Sequence, residues 1–376
     1  MTASTNSKRK GRVGVPSGLH WKSRFFAATG RFWRAMGNLE SRVVADETRA
    51  IEIDAPIYVT SLARSGTTVV TEMLAEHTAV TSHRYSDFPA VWTPYWRNWL
   101  ESRTHHPPAT PVERAHGDRI QITNDSPEAV EELIWSSFFP HVHDQDTSNV
   151  LGTDQRSPAF DRYYTEHIRK LLAVRGATRY LAKGNYNLSR LTYLHSLFPD
   201  ARFLIPVRHP VNHIASLVKQ HKLFIEAHAL DQRVGRQLEL AGHWEFGPFR
   251  RFVNLGDPQL ARAINTAWSA GREVLGWAHY WNSSYQFILN IYNRIDSINK
   301  VIYLFKYEDL CTQSATIIDH MLGHTSLDAG TFAATRADYE SRLSLPDYYQ
   351  PDFSAQEMET IRTVCGRTAT DLGYTL

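Results

Sequence analysis

The sequence predicts an α/β protein: a P-loop-like three-layer fold with a mostly parallel central sheet flanked by helices, plus a helical insert. Two strand–turn–helix segments carry that prediction. In residues 57–70 a β-branched run, Ile57-Tyr58-Val59-Thr60, enters the small-residue turn Ser61-Leu62-Ala63-Arg64-Ser65-Gly66 and leaves it as a helix beginning at Thr67-Thr68. Residues 201–216 repeat the pattern, with Arg202-Phe203-Leu204-Ile205-Pro206-Val207 as the strand and Arg208-His209-Pro210 as the turn. A chain of 376 residues that is 42% hydrophobic can enclose the large core such a sheet requires.

The first turn is built to hold an anion. Ser65, Gly66, Thr67 and Thr68 set backbone N–H groups and hydroxyls at a helix N-terminus, where orphan donors and the macrodipole favour negative charge. Arg64 adds a cation. The loop departs from the nucleotide-hydrolase pattern G-x-x-x-x-G-K-[ST], because Ser61 stands at its first Gly and Thr67 at its Lys. Without that lysine, triphosphate hydrolysis and a P-loop kinase are disfavoured. In the second segment Arg208 ends the strand and Ser216 follows eight residues later, about two helical turns on, so both can reach one phosphate beyond the strand ends.

Together these segments resemble the sulfotransferases that use 3′-phosphoadenosine 5′-phosphosulfate, of the tyrosylprotein and carbohydrate type. Lys183 in Tyr180-Leu181-Ala182-Lys183-Gly184-Asn185, the run Leu197-Phe198-Pro199-Asp200-Ala201, and Tyr307-Glu308-Asp309-Leu310 extend the resemblance across residues 56–312. It implies that Arg64, Ser65, Gly66, Thr67 and Thr68 hold the 5′-phosphosulfate and that Arg208 and Ser216 hold the 3′-phosphate. It implies a reaction without a metal, in which sulfonate passes to a hydroxyl or amine and Lys183 reaches the sulfonate or positions the base. A catalytically inactive nucleotide-binding scaffold of the same fold is the alternative.

Where the tyrosylprotein and heparan members carry a glutamate base, residues 82–89 of this chain contain none. Asp87, which stands 23 residues after Arg64, is the first choice for the base. His116 follows, by analogy with the cytosolic small-molecule enzymes, and then His83. A histidine needs little tuning to act as a base near neutral pH, whereas an aspartate needs its pKa raised. The segment Ser126-Pro127-Glu128-Ala129 reads first as structure, a capped helix start, with one of Glu131 and Glu132 as an acceptor contact in the alternative.

The remaining segments bound the reading. Residues 1–50 form a basic tail (Lys8-Arg9-Lys10-Gly11-Arg12) and an amphipathic helical arm, and residues 51–376 form the domain, with a helical insert at about 225–295. The arm packs on its own domain or on a second copy, with weak contact to a membrane surface as the alternative. Most aromatics of the insert belong to the core, while the loop Gly242-His243-Trp244-Glu245-Phe246-Gly247 offers acceptor contacts. A net charge of +2 implies no nucleic-acid surface. Two cysteines, Cys311 and Cys365, form neither a disulfide framework nor a metal site. No apolar run suits a signal peptide or a membrane span, so the default location is cytoplasmic. The acceptor is a small molecule, a lipid or a glycan.

Overall fold

The computed structural model describes residues 14–104, 110–113, 120–346 and 350–376. Its strands are β1 (Ile57–Val59), β2 (Val80–Ser82), β3 (Val112–Glu113), β4 (Gln121–Ile122), β5 (Arg179–Lys183), β6 (Arg202–Val207) and β7 (Ile302–Lys306). Five of them form one parallel sheet in the order β2-β5-β1-β6-β7, and β3 pairs with β4 as a separate antiparallel ribbon.

The period of two along each strand builds the layers. Ile57, Val59, Leu181, Leu204 and Phe305 face the helices Thr67–Ala75 and Ser314–Thr325 through Val70, Leu74, Ile318 and Met321. Tyr58, Tyr180, Ala182, Phe203 and Ile205 face the opposite layer, where Ile168, Ile214, Trp281 and Ile361 come from the helices Pro158–Arg175, Pro210–Leu230, Glu273–Arg294 and Ala355–Asp371. β1 lies between β5 and β6; the chain leaves β1 toward β2 on one side and leaves β6 toward β7 on the other, which opens a crevice beyond the C-terminal ends of this neighbouring pair.

The insert region is helical. Helices Arg233–Leu240, Pro258–Ser269 and Glu273–Arg294 follow the long helix Pro210–Leu230, and Trp277, Tyr280, Trp281 and Tyr285 are buried. The arm forms helices Ser17–Ala28 and Gly30–Val43, which lie on the protein's own domain. Buried Glu40 anchors it, meeting Lys170 Nζ at 2.8 Å and accepting from the Trp96 amide at 2.7 Å.

One local expectation is overturned. Residues 127–130 are not helical: Pro127 bridges antiparallel to Arg84, the Glu128 amide donates to the His83 carbonyl at 2.9 Å, and the helix begins only at Glu132. Pairing with the chain after β2 supplies the backbone partners that a first helical turn lacks, and it overrides the capping signal. No described helix is long and apolar enough to cross a membrane.

Candidate active site

The turn after β1 is held open by two left-handed residues, Arg64 at φ +72° and Gly66 at φ +106°. Glycine is required at the second. A Cβ there would lie 2.4 Å from the Tyr307 ring, and the backbone conformation disfavours any side chain. Gly66 is the N-cap of the helix Thr67–Ala75, so its turn aims the first helical N–H groups out of the strand end.

Three contacts brace this loop from behind. His213 Nε2 bonds the Ala63 carbonyl at 2.8 Å, and Ser61 Oγ bonds the Tyr285 hydroxyl at 3.0 Å. Burial lowers the His213 pKa to about 3, so the ring is neutral and donates that hydrogen bond. The third brace is Arg208, whose Nη1 donates to the Arg64 carbonyl at 3.1 Å.

The two predicted anion-binding segments thereby become one site. Arg64 Nε donates to Ser216 Oγ at 3.3 Å, and the Arg208 guanidinium lies 5.4 Å from the centre of the Tyr307 ring, the same ring that packs on Gly66. Glu308, next to Tyr307, accepts from the His209 amide at 2.9 Å and from the Tyr374 hydroxyl at 2.7 Å. It ties the turn after β6 to the end of β7 and to the C-terminal segment. The Ser65 hydroxyl is buried in the loop with no hydrogen-bond partner among the described residues, a polar group suited to a ligand oxygen.

In front of the loop lies a pocket whose wall includes Arg64, Thr67, Thr68, Glu128, Lys183 and His243. Lys183 ends β5, and its ammonium stands 3.9 Å from Glu128 Oε1. Burial pushes the Glu128 carboxyl upward, but Lys183 foremost, then His243 and the Tyr85 hydroxyl, hold it down at about 2. The expected acceptor loop contributes His243, Glu245 and Phe246 to the same wall.

Asp87 is placed differently from the role first assigned to it. It is 1% exposed, does not line the pocket, and accepts from Arg175 Nη2 at 2.9 Å, Arg97 Nη1 at 2.8 Å and the Arg84 amide at 2.9 Å. Burial opposes its charge, yet His83 and Arg175 hold its carboxyl well below the usual range, which suits a structural anion rather than a base. His83 is likewise buried, with Nδ1 on Asp87 at 3.0 Å and Nε2 on His167 at 2.9 Å. His116 lies outside the described residues. Glu131 turns inward to the Tyr164 and Tyr180 hydroxyls, and Glu132 takes Arg190 at 2.7 and 2.9 Å and His143 at 2.6 Å. Two carboxylates line the pocket, Glu128 and Glu245, and Glu128 is the one beside Lys183.

The family model described as "Sulfotransferase family" matches residues 56–254, which span β1, the loop, Lys183 and the Arg208 turn. The chain belongs to the sulfotransferase family. Among solved structures it is similar to sulfotransferase STF9 from Mycobacterium avium, at 15% identity and TM-score 0.52, over 90% of this chain and 82% of that one. It is also similar to sulfotransferase STF1 from Mycobacterium tuberculosis H37Rv, at 16% identity and TM-score 0.46, over 96% and 88%. The first likeness supports the shared fold. No curated protein matches the chain. Among the described residues of this sulfotransferase-family chain, no group of three or more His, Cys, Asp or Glu is placed to hold a metal.

Proposed function

We propose that this protein transfers the sulfuryl group of 3′-phosphoadenosine 5′-phosphosulfate to an acceptor hydroxyl or amine. The observation that carries the reading is the convergence of Arg64, Arg208 and Ser216 from two strand ends, with Lys183 and Glu128 at the end of the neighbouring strand. One site then offers donors for two phosphate groups, and a cation and a carboxylate for the reacting centre.

The residues present fit the donor. Arg64 with the Gly66–Thr68 amides would hold the 5′-phosphosulfate, the unpartnered Ser65 hydroxyl adds a donor, and Arg208 with Ser216 would hold the 3′-phosphate. When bound, the donor supplies an activated sulfuryl group on a good leaving oxygen. Arg64 and Lys183 stabilise the charge that collects on that oxygen as its bond to sulfur breaks.

Glu128 receives the acceptor's proton as the new bond to sulfur forms. At a pKa of about 2 it is a weak base, and the first cause holding it there after burial is Lys183. An anion beside Lys183 competes for the ammonium and lifts Glu128 toward the ordinary carboxylate range. Donor binding and activation of the base are thus coupled through one lysine.

The test is calorimetric titration with 3′-phosphoadenosine 5′-phosphate, without metal, on the wild type and on Arg208→Ala. Binding that is lost in the variant supports the nucleotide site. Absence of binding to the wild type removes the reading.

A further inference from the structure

A cavity of about 880 Å³ opens beside the phosphate-loop pocket and shares Glu128, Phe224, Leu238 and His243 with it. The shared residues make it a second space that reaches Glu128.

Its wall is mostly apolar. Val15, Leu19 and Phe26 come from the arm, and Phe88, Val130 and Val234 come from the domain. Two of its charged groups, Arg97 and Glu101, meet at 3.4 Å, and Arg97 also holds buried Asp87 at 2.8 Å. Their charges are spent on each other. Lys22 also borders the cavity, while the remaining carboxylate on its wall, Glu128, stands at the junction with the loop.

The arm is fastened where it forms this wall. Arg233 Nη1 donates to Ser17 Oγ at 2.8 Å, Gln237 Nε2 to Ser23 Oγ at 2.9 Å, and the Val15 amide to Asp231 Oδ2 at 3.4 Å. Those partners lie on or just before the helix Arg233–Leu240, so arm and helix enclose the cavity between them.

Resting on the sulfuryl-transfer reading, we propose that the acceptor is an alcohol or phenol with an uncharged, apolar body, held between the arm and the helix Arg233–Leu240 with its hydroxyl at Glu128. Most of this wall can offer only burial, which favours hydrocarbon. The neutral polar groups of the wall, Tyr85, Ser86, Asn124, Gln237 and His243, are a minority, so a glycan placed there would set part of its hydroxyls against hydrocarbon, which is costly. The arm is therefore part of the acceptor site and not an appendage to the domain.

The experiment uses the full chain saturated with 3′-phosphoadenosine 5′-phosphate, titrated calorimetrically with phenol, 4-ethylphenol, 4-butylphenol and 4-hexylphenol, and with methyl glucoside as the polar comparator. Affinity should rise by up to about fourfold per added methylene, as expected for burial of hydrocarbon, and methyl glucoside should not compete. Leu19→Gln on the arm and Ala241→Phe on the opposite wall should each weaken 4-hexylphenol about tenfold while nucleotide affinity stays unchanged. Ala241 lies outside the hydrogen bonds that fasten the arm, so loss of arm packing in Leu19→Gln leaves Ala241→Phe informative. Affinity that is flat with chain length, or binding of methyl glucoside in preference, overturns the inference while nucleotide binding still upholds the transfer reading. Failure of the wild type to bind the nucleotide removes both.

Discussion

Arg208 donates from Nη1 to the main-chain carbonyl of Arg64 across 3.1 Å. The cation of the second proposed anion site is thereby a strut of the first, and Arg64 itself is held at a positive φ that few side chains adopt. Binding energy and loop geometry are linked through one guanidinium.

Replacing Arg208 with Ala removes a charged donor and the strut together. The affinity for 3′-phosphoadenosine 5′-phosphate should fall roughly ten- to hundredfold, the range for a hydrogen bond to a charged group. Arg208→Lys should restore little of it, since a lysine cannot reproduce the planar fork. Calorimetry decides, and an unchanged dissociation constant in Arg208→Ala would remove Arg208 from the site.

Gly66→Ala tests the loop itself. The added Cβ meets the Tyr307 ring at 2.4 Å, and φ +106° adds backbone strain of about 1–3 kcal/mol. The variant should melt lower and bind nucleotide more weakly. Combining it with Tyr307→Ala should recover part of the loss, because the clash is relieved and the backbone strain remains. Full recovery in thermal melts would show that the positive φ carries no cost.

Asp87→Asn should act on stability. Removing the charge facing Arg175 and Arg97 breaks a buried ion-pair cluster, worth about 3–5 kcal/mol when one partner is lost. In the folded protein the Asp87 carboxyl lies below its unfolded value of 3.8, so its contribution is present above that pH and declines as the pH falls below it. Melting temperatures of the wild type and the variant should stay apart from pH 6 down to about pH 4 and draw together only as the pH falls further below 3.8. A fully stable variant with no turnover would instead restore Asp87 as the base.

Glu128→Gln should lower kcat by about 10²–10⁴ and leave nucleotide affinity near that of the wild type. Carboxyl-carbon NMR on the wild type adds an independent readout. Glu128 should titrate near pH 2 alone and higher once 3′-phosphoadenosine 5′-phosphate is bound, as the anion draws on Lys183. A titration point that does not move on binding would break the proposed link between donor and base.

The predicted sheet and the observed one agree because its signals are local. Residues 57–59 and 202–207 alternate between two buried faces and read as apolar runs, and each is followed at once by its turn and helix. The glycine at 66 was legible as part of an anion loop, although the ring that enforces it, Tyr307, comes from 241 residues away in the chain. Glu128 was not legible. Its neighbours Ser126 and Pro127 carry a strong helix-start signal, and only the bridge from Pro127 to Arg84 shows that the segment is extended. The burial of Asp87 is not legible for a related reason: Arg175, which pairs with it, lies 88 residues further along.

The parallel α/β architecture and the two turns that carry Arg64, Gly66, Thr67 and Arg208 are legible in the sequence, since the apolar run, the turn and the helix start that mark each are contiguous. Contacts between distant segments set the brace from Arg208 to Arg64, place Glu128 rather than Asp87 beside Lys183 in the pocket, and make the arm a wall of the neighbouring cavity. The charge state and direction of a side chain depend on which distant groups desolvate it and pair with it, and packing alone brings those groups together.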